Sequence, residues 1–154
     1  MEDTAQAILI REATVADIPQ LCDLLTLLFT QEPDFQPNRE SQIAGLSLIL
    51  KQPDVGRIYC ASRDTLVLGM VSLLYTVSTA EGGPAAWLED MIVHPAWRDR
   101  QLGARLLEFA IEQARGAGFQ RITLLTDSHN HRAIEFYRRA GFTQSSMIPF
   151  RLRL

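Results

Sequence analysis

The chain has 154 residues, 47% of them hydrophobic and 21% charged, a balance typical of one globular domain, here residues 1–154. A chain of this length buries roughly 68–70% of its unfolded surface, so it needs no disulfide or metal ion to hold its core. The formal net charge of -3 argues against a nucleic-acid-binding protein, which would need a basic face.

The cysteines, the first residues and the length of the apolar runs indicate the cellular compartment. Cys22 and Cys60 have no spacing typical of a metal or redox motif, which favours buried thiols in a reducing compartment. The three histidines fit no common zinc pattern, so we predict no metal site. The first residues, MEDTAQ, lack the apolar core of a signal peptide, and no apolar run reaches about 18 residues. We therefore expect a cytoplasmic protein that does not bind membranes.

A short strand and a long helix are predicted at the start of the chain. Residues 7–11, AILIR, are apolar and bounded by polar residues, as in a strand. Thr14 and Asp17 have the spacing of a capping box, and an apolar helical periodicity then continues to about Phe29.

A second helix and a hairpin follow. Two prolines interrupt the segment 30–37, and Asn38 is placed to cap a helix that ends near Lys51. Residues 57–62 and 65–78 both have strand character and are separated by a two-residue polar turn. This pattern predicts a β-hairpin.

The most informative stretch begins with residues 87–93, WLEDMIV, an apolar strand. It leads through a His-Pro turn into an amphipathic helix that opens near Arg98. The connecting residues 98–104 are polar and basic and contain one glycine. A strand–turn–helix unit directs unpaired backbone N–H groups and the helix dipole at one point, which suits a phosphate or pyrophosphate.

The remaining elements complete a mixed α/β domain. Gly116 and Gly118 are expected to end that helix, and residues 121–126 read as a buried strand. Residues 132–140 predict another helix, and residues 147–154 alternate weakly as a last strand that closes the sheet. The predicted order is β-α-α-β-β-β-α-β-α-β.

Two blocks of the sequence resemble the GCN5-related N-acetyltransferases, the GNAT superfamily. The VHP triplet at 93–95, Arg98 and Gly103 are similar to its acyl-CoA-binding motif, R/Q-x-x-G-x-G/A, with Gln101 at the first glycine. Residues 130–142, NHRAIEFYRRAGF, match its C-terminal signature N-x-x-A-x-x-F-Y-x-x-x-G-F at every named position. The resemblance covers nearly the whole chain and implies a largely antiparallel mixed sheet flanked by the four predicted helices.

The resemblance also implies acetyl-CoA as the cofactor. Backbone groups of Met91, Ile92 and Val93 would pair with its pantetheine arm, and Asn130, which is also placed to cap the last helix, would lie nearby. The pyrophosphate would be held by the loop and first helical turn, namely Arg98, Asp99, Arg100, Gln101, Leu102, Gly103 and Ala104. Left-handed backbone at Gln101, if the loop requires it, would cost about 1 kcal/mol relative to glycine, whereas a right-handed helical loop avoids that cost.

The segment LED at 88–90 resembles the corresponding strand of spermidine and diamine acetyltransferases. That resemblance implies Glu89 as the base that deprotonates the amine, directly or through water, and Tyr137 as the acid that protonates the leaving sulfur. Strand alternation would place Trp87, Glu89 and Met91 on one face and Asp90 on the other, where it would orient the substrate. Salt bridges for both carboxylates, and a packing role for the tyrosine, are the alternatives.

We expect the acceptor pocket between residues 30–37 and 87–91. Its predicted residues are Phe29, Glu32, Asp34, Trp87, Glu89 and Asp90, whose carboxylates favour a small cationic amine. The predicted function is therefore an N-acetyltransferase for the primary amine of a small molecule. Protein N-terminal or lysine acetylation is one alternative, and a non-catalytic acyl-CoA-binding module is another. A homodimer through the C-terminal strand is left open.

Overall fold

A five-stranded sheet is the centre of the molecule. The computed structural model describes residues 7–154, and the strands run in the order β1 (Leu9–Glu12), β2 (Gly56–Arg63), β3 (Leu66–Ser78), β4 (Gly83–Val93) and β5 (Ile122–Leu124). The first four strands pair antiparallel, whereas β5 pairs parallel to β4. This arrangement confirms the predicted mixed, largely antiparallel sheet.

Four helices cover the two faces of the sheet. They are α1 (Ile18–Gln31), α2 (Arg39–Lys51), α3 (Leu102–Gly116) and α4 (His131–Arg139). The core cluster on the α1 and α2 face includes Leu21, Leu46 and Met70, whereas the cluster on the α3 face includes Leu106 and Leu107. Among residues 7–154, no helix combines the length and apolar character needed to cross a bilayer.

Local capping explains where the helices begin. Thr14 donates its backbone N–H to the carboxylate of Asp17 at 2.8 Å, which confirms the predicted contact before α1. The side-chain oxygens of Asn38 and Asn130 accept backbone N–H groups from the first turns of α2 and α4, at 3.0 and 3.1 Å. The predicted caps of these helices are therefore confirmed.

The predicted C-terminal strand is wrong. Residues 147–154 pair with no strand of the described chain, and the sheet ends at β5. Met147, Phe150 and Leu152 are 87%, 91% and 84% exposed. Alternating apolar residues form a strand only where they pair with the backbone of a neighbouring strand, and this segment makes no such pairing. Homodimerisation through the segment stays a prediction.

The ion pair between Arg11 and Asp17 fastens β1 to the start of α1. Arg11 donates two hydrogen bonds to the Asp17 carboxylate, at 2.8 and 2.9 Å. The Asp17 side chain is 10% exposed. The Arg11 hydrogen bonds, partly opposed by burial, lower the pKa of Asp17. A lowered folded-state pKa means that the pair stabilises the fold above the unfolded pKa of about 3.9 and loses this effect as the pH falls through the folded value.

We predict that Asp17→Asn lowers the free energy of unfolding by about 1.5–3 kcal/mol at neutral pH, because it removes charged hydrogen bonds from a buried site. Urea denaturation followed by circular dichroism measures this loss. The difference from the wild type should shrink as the pH falls from about 3.9, where the unfolded carboxyl becomes protonated, through the lower folded-state pKa of Asp17.

The matched control is Asp23→Asn, which breaks the exposed pair with Arg39, where the side chains are 54% and 68% exposed. Solvent screening makes such a pair worth little, so this variant should unfold like the wild type. Equal losses for the two variants would contradict the structural role assigned to Asp17.

Candidate active site

Strand β4 has partners on both sides only in its first half. The Cα partners of β5 are Ala86 with Ile122, Trp87 with Thr123 and Leu88 with Leu124. Beyond Leu88, β4 remains paired with β3 as far as Val93 but has no partner in β5 among the described residues. Apart from the Val93 carbonyl, which accepts from Arg98, the backbone of residues 89–93 on that side is therefore free to pair with a ligand, at the position predicted for Met91, Ile92 and Val93.

A β-bulge at Glu89 changes which way the following side chains face. Ser72 of β3 pairs with Asp90 and Leu73 pairs with Leu88, so Glu89 has no opposite residue. Leu88 and Met91 both pack in the core under α3, whereas Ile92 packs under α1 and α2. The expected regular alternation of Trp87, Glu89 and Met91 is therefore wrong, because an extra residue in one strand shifts the two-residue period.

Three carboxylates, Glu32, Glu89 and Asp90, gather beside the bulge; we refer to them as the acidic cluster. None of the three forms an ion pair within residues 7–154. Burial, followed by the charges of Glu89 and Asp34, raises the pKa of Glu32. Burial, followed by the charges of Glu89 and Glu32, raises the pKa of Asp90 to about 7, against the lowering effect of a Ser72 hydrogen bond. The site is thus electronegative without an internal counter-ion.

Tyr137 of α4 reaches the same region. Its ring contacts Phe136 and Phe142 edge-on, with centroids 5.2 and 5.7 Å away. Burial, followed by the charges of Glu32 and Asp90, raises the pKa of Tyr137 to about 12. The hydroxyl therefore stays protonated at neutral pH and can donate a proton. Packing and proton donation are compatible, because the ring packs against aromatic residues while the charges of nearby carboxylates act on the hydroxyl.

The loop before α3 contains two left-handed residues. Gln101 has φ 58° and ψ 12°, and Asp99 has φ 62°. The loop therefore takes the costlier of the two conformations open to Gln101, and α3 begins at Leu102 rather than near Arg98. The N-terminus of α3, with its unpaired backbone N–H groups, follows directly after Gln101.

The side chains of this loop contact different neighbouring residues and do not converge on one point. Arg98 donates to the carbonyl of Val93 at 3.2 Å, and the Arg100 guanidinium lies 4.9 Å from the centre of the Trp97 ring. Asp99 pairs with Arg132 of α4 at 2.8 Å. Arg132 was not predicted, since no sequence pattern links it to a residue 33 positions away.

The start of α3 offers backbone groups only. Leu102 is 1% exposed and packs with Ala61 and Leu68, so its side chain belongs to the core. Gly103 faces the ring of Phe136, where an added Cβ would lie 3.5 Å away. With Ala104, these residues supply the first-turn N–H groups that a helix leaves without an internal acceptor.

The predicted acceptor loop lies at the end of α1. The rings of Phe29 and Phe35 are 5.8 Å apart. Asp34 faces the guanidinium of Arg151 at 3.8 Å, which partly neutralises it, although its charge still contributes to the raised pKa of Glu32. Trp87 is 39% exposed on β4. Arg151 was missed because the C-terminal residues were assigned to a strand in the sheet.

A separate cavity of about 670 Å³ lies at the opposite end of α3, near Tyr59, Tyr75 and Phe119. None of the predicted site residues lines it. The sequence-predicted residues lie elsewhere, along the open edge of β4, at the start of α3, in α4 and its N-cap, and at the end of α1.

An open strand edge followed by a helix N-terminus offers backbone hydrogen-bonding groups to an extended ligand with an anionic group. The chain is correspondingly similar to known acyltransferases. Residues 18–142 match the model of the acetyltransferase (GNAT) family. The chain is 31% identical over 144 residues to the aminoalkylphosphonate N-acetyltransferase of Salmonella typhimurium, covering 94% of this chain and 90% of that protein.

Two solved structures show the same fold. An integron cassette protein from the mobile metagenome of Cole Harbour Salt Marsh is 27% identical, with a TM-score of 0.82 over 94% of this chain and 90% of that one. An aminoglycoside N-acetyltransferase in complex with CoA also has a TM-score of 0.82, at 17% identity and 99% coverage of both chains. The chain belongs to the GNAT family of acetyltransferases and is an acyltransferase that uses acetyl-CoA.

We predict that Gln101→Gly raises the free energy of unfolding by about 1 kcal/mol, because glycine adopts left-handed backbone without the Cβ clash. Thermal unfolding of the two proteins measures the gain. Gln101→Ala is the control, since it keeps a Cβ and should not stabilise the protein. A stabilisation by alanine equal to that by glycine would mean that the left-handed conformation is not the source of strain.

Proposed function

We propose that the protein transfers the acetyl group of acetyl-CoA to the primary amine of a small cationic molecule by direct attack. The observation that carries this proposal is the acidic cluster, which lies beside the open edge of β4 and has no internal counter-ion. Bringing three carboxylates together costs electrostatic free energy, which a bound ammonium group offsets. A cationic acceptor is therefore bound where its nitrogen has to react.

The donor is proposed to lie along the open half of β4. Backbone groups of Met91, Ile92 and Val93 would pair with the pantetheine arm, and the N–H groups of residues 98–104 would hold the pyrophosphate. Asn130 lies at the start of α4, where its side chain is already engaged as the helix cap. Its contribution to donor binding would therefore pass through the position of α4.

Tyr137 is proposed as the acid that protonates the leaving sulfur. Support comes from its protonated state at neutral pH and from its position beside the carboxylates. The base would come from the adjacent pair Glu89 and Asp90, of which the sequence resemblance favours Glu89. Acetyl-CoA supplies the acetyl group as a thioester that the deprotonated amine attacks.

The similar Salmonella protein is an aminoalkylphosphonate N-acetyltransferase. A small-molecule amine is supported by that likeness, but a phosphonate acceptor also carries negative charge. Such an acceptor would meet repulsion at the acidic cluster unless a cation such as Arg151 engaged its anionic group. Cationic and phosphonate acceptors are thus separable by experiment.

We predict that a short aliphatic diamine such as putrescine is acetylated with a higher kcat/KM than aminomethylphosphonate, by about tenfold or more, because one added favourable charge contact contributes at least about 1.4 kcal/mol. CoA release measured with a thiol reagent across an amine panel tests this. A lysine-containing peptide and a free protein N-terminus extend the panel to the protein-acetylation alternative.

Glu32→Gln is the charge control for this panel. It should reduce the preference for the diamine and leave aminomethylphosphonate turnover equal or higher, because it removes one negative charge from the cluster. Exclusive turnover of phosphonates by the wild type would contradict the cationic acceptor.

We predict that Tyr137→Phe lowers kcat by about 100-fold, at the lower end of general acid contributions, because a thiolate is already a fair leaving group. Steady-state kinetics at saturating acetyl-CoA measures the change. Tyr75→Phe removes a hydroxyl on the cavity side of the sheet, away from the acidic cluster, and should retain wild-type turnover. Unchanged kcat in Tyr137→Phe would limit this tyrosine to packing.

A further inference from the structure

We propose that Asp90, positioned by the buried hydroxyl of Ser72, accepts the proton from the acceptor amine, whereas Glu89 only attracts the ammonium group. This assignment rests on the proposed amine acetylation and exchanges the roles that the sequence resemblance implies for the two carboxylates. Ser72 becomes a positioning residue of the site.

The bulge separates the environments of the two carboxylates. Glu89 is the extra residue opposite no partner, and it is exposed, whereas Asp90 pairs with Ser72 and is only partly exposed. An exposed side chain on unpaired backbone is weakly held. A proton acceptor has to stay within hydrogen-bond reach of its partner in a fixed orientation, which the paired residue does better.

Ser72 fixes the orientation of Asp90 from the neighbouring strand. Its side chain is 0% exposed. The backbone N–H of Asp90 donates to Ser72 Oγ at 3.1 Å, and the Ser72 hydroxyl faces Asp90 Oδ2 at 3.4 Å. Because the hydroxyl oxygen already accepts the N–H, its own proton is directed at the carboxylate. One oxygen of Asp90 is thereby held, and the other is left for the acceptor.

Charged and titratable groups face Asp90 from three sides. Glu89 acts from the same strand, Glu32 from the end of α1 and Tyr137 from α4, while Ser72 faces it from β3. Burial and the two carboxylates favour the neutral acid, so Asp90 titrates near neutral pH, in the range suited to a base. A bound ammonium group opposes those charges and returns Asp90 to the carboxylate form that takes the proton.

The proton and atom balance is complete with these groups. The ammonium loses one proton to Asp90, and the resulting lone pair forms the nitrogen–carbon bond to the thioester carbonyl. The carbon–sulfur bond then breaks, Tyr137 donates its proton to the sulfur, and the second nitrogen proton returns to the tyrosine. The products are the amide, CoA with a free thiol and one proton, which leaves Asp90 for solvent.

The test compares pH profiles of kcat/KM for the wild type, Asp90→Asn and Glu89→Gln with putrescine as acceptor. The wild type should lose activity below about pH 7, because the free-enzyme base is then protonated. The acidic limb of its kcat profile should lie at lower pH, since the bound cation favours the carboxylate. Asp90→Asn should lose about 100-fold or more in kcat/KM together with this limb. Glu89→Gln should raise KM and keep the limb.

Ser72 is tested in the same assay. Ser72→Ala should move the acidic limb to higher pH, because the hydroxyl that lowers the pKa of Asp90 is gone. Ser72→Thr restores a hydroxyl and should return the limb toward the wild-type position. A merely structural role for Ser72 would change the unfolding temperature and leave the limb in place. Should either variant fail to fold, the Asp90 and Glu89 variants decide the assignment.

Calorimetric binding of acetyl-CoA shows that each variant retains its donor site. A limb that persists in Asp90→Asn and disappears in Glu89→Gln would overturn the assignment while leaving amine acetylation intact. If the wild type acetylates no cationic amine, the proposed acceptor class fails first, and the assignment fails with it. The two failures can be told apart, because loss of the acceptor class is seen in the wild-type protein, whereas an incorrect assignment of the base is seen only in the variants.

Discussion

The separation of β4 from β5 after Leu88 is the constraint on which the site depends. Up to that residue β4 is an interior strand, and beyond it one edge of the backbone has no strand partner among the described residues. Unpaired backbone in a sheet is costly unless water or a ligand satisfies it. The start of α3 and Tyr137 of α4 both lie around this opening, so the parting of two strands exposes the backbone at which we propose that the donor binds, with the proposed acid beside it.

The bulge at Glu89 links that opening to the acceptor side. It keeps Leu88 and Met91 in the core under α3 while Ile92 remains in the core under α1 and α2. In a regular strand, two successive side chains face opposite sides of the sheet. At the bulge, the successive carboxylates of Glu89 and Asp90 instead lie close enough to interact. Their repulsion and burial oppose folding, and hydrogen bonding from Ser72 offsets only part of it. Binding of the proposed cationic acceptor would offset this cost and would therefore couple the stability of the site to its ligand.

Periodicity and caps were enough to predict the helices, the β2–β3 hairpin and the positions of Asn38 and Asn130, because these features depend on residues close in sequence. The bulge could not be predicted, since it is set by the register between β3 and β4 and the pattern of β4 alone is continuous. Residues 147–154 show the opposite error, because their alternation is real but a strand also needs an available edge. The GNAT resemblance indicated the segments proposed for the site, and only the structure shows the pairing with Ser72 that distinguishes Asp90 from Glu89.

The loop before α3 shows how strain is balanced by packing. Left-handed backbone at Asp99 and Gln101 costs roughly 1–2 kcal/mol each, and the exposed Asp99–Arg132 pair returns only about 0–1 kcal/mol. The side-chain contacts of the loop are therefore too weak to hold it by themselves. Leu102 and Leu106, which are 1% and 0% exposed, each contribute about 1.5–3 kcal/mol by burial at the start of α3. The core contacts of α3 thus keep the loop in a conformation that its own residues disfavour.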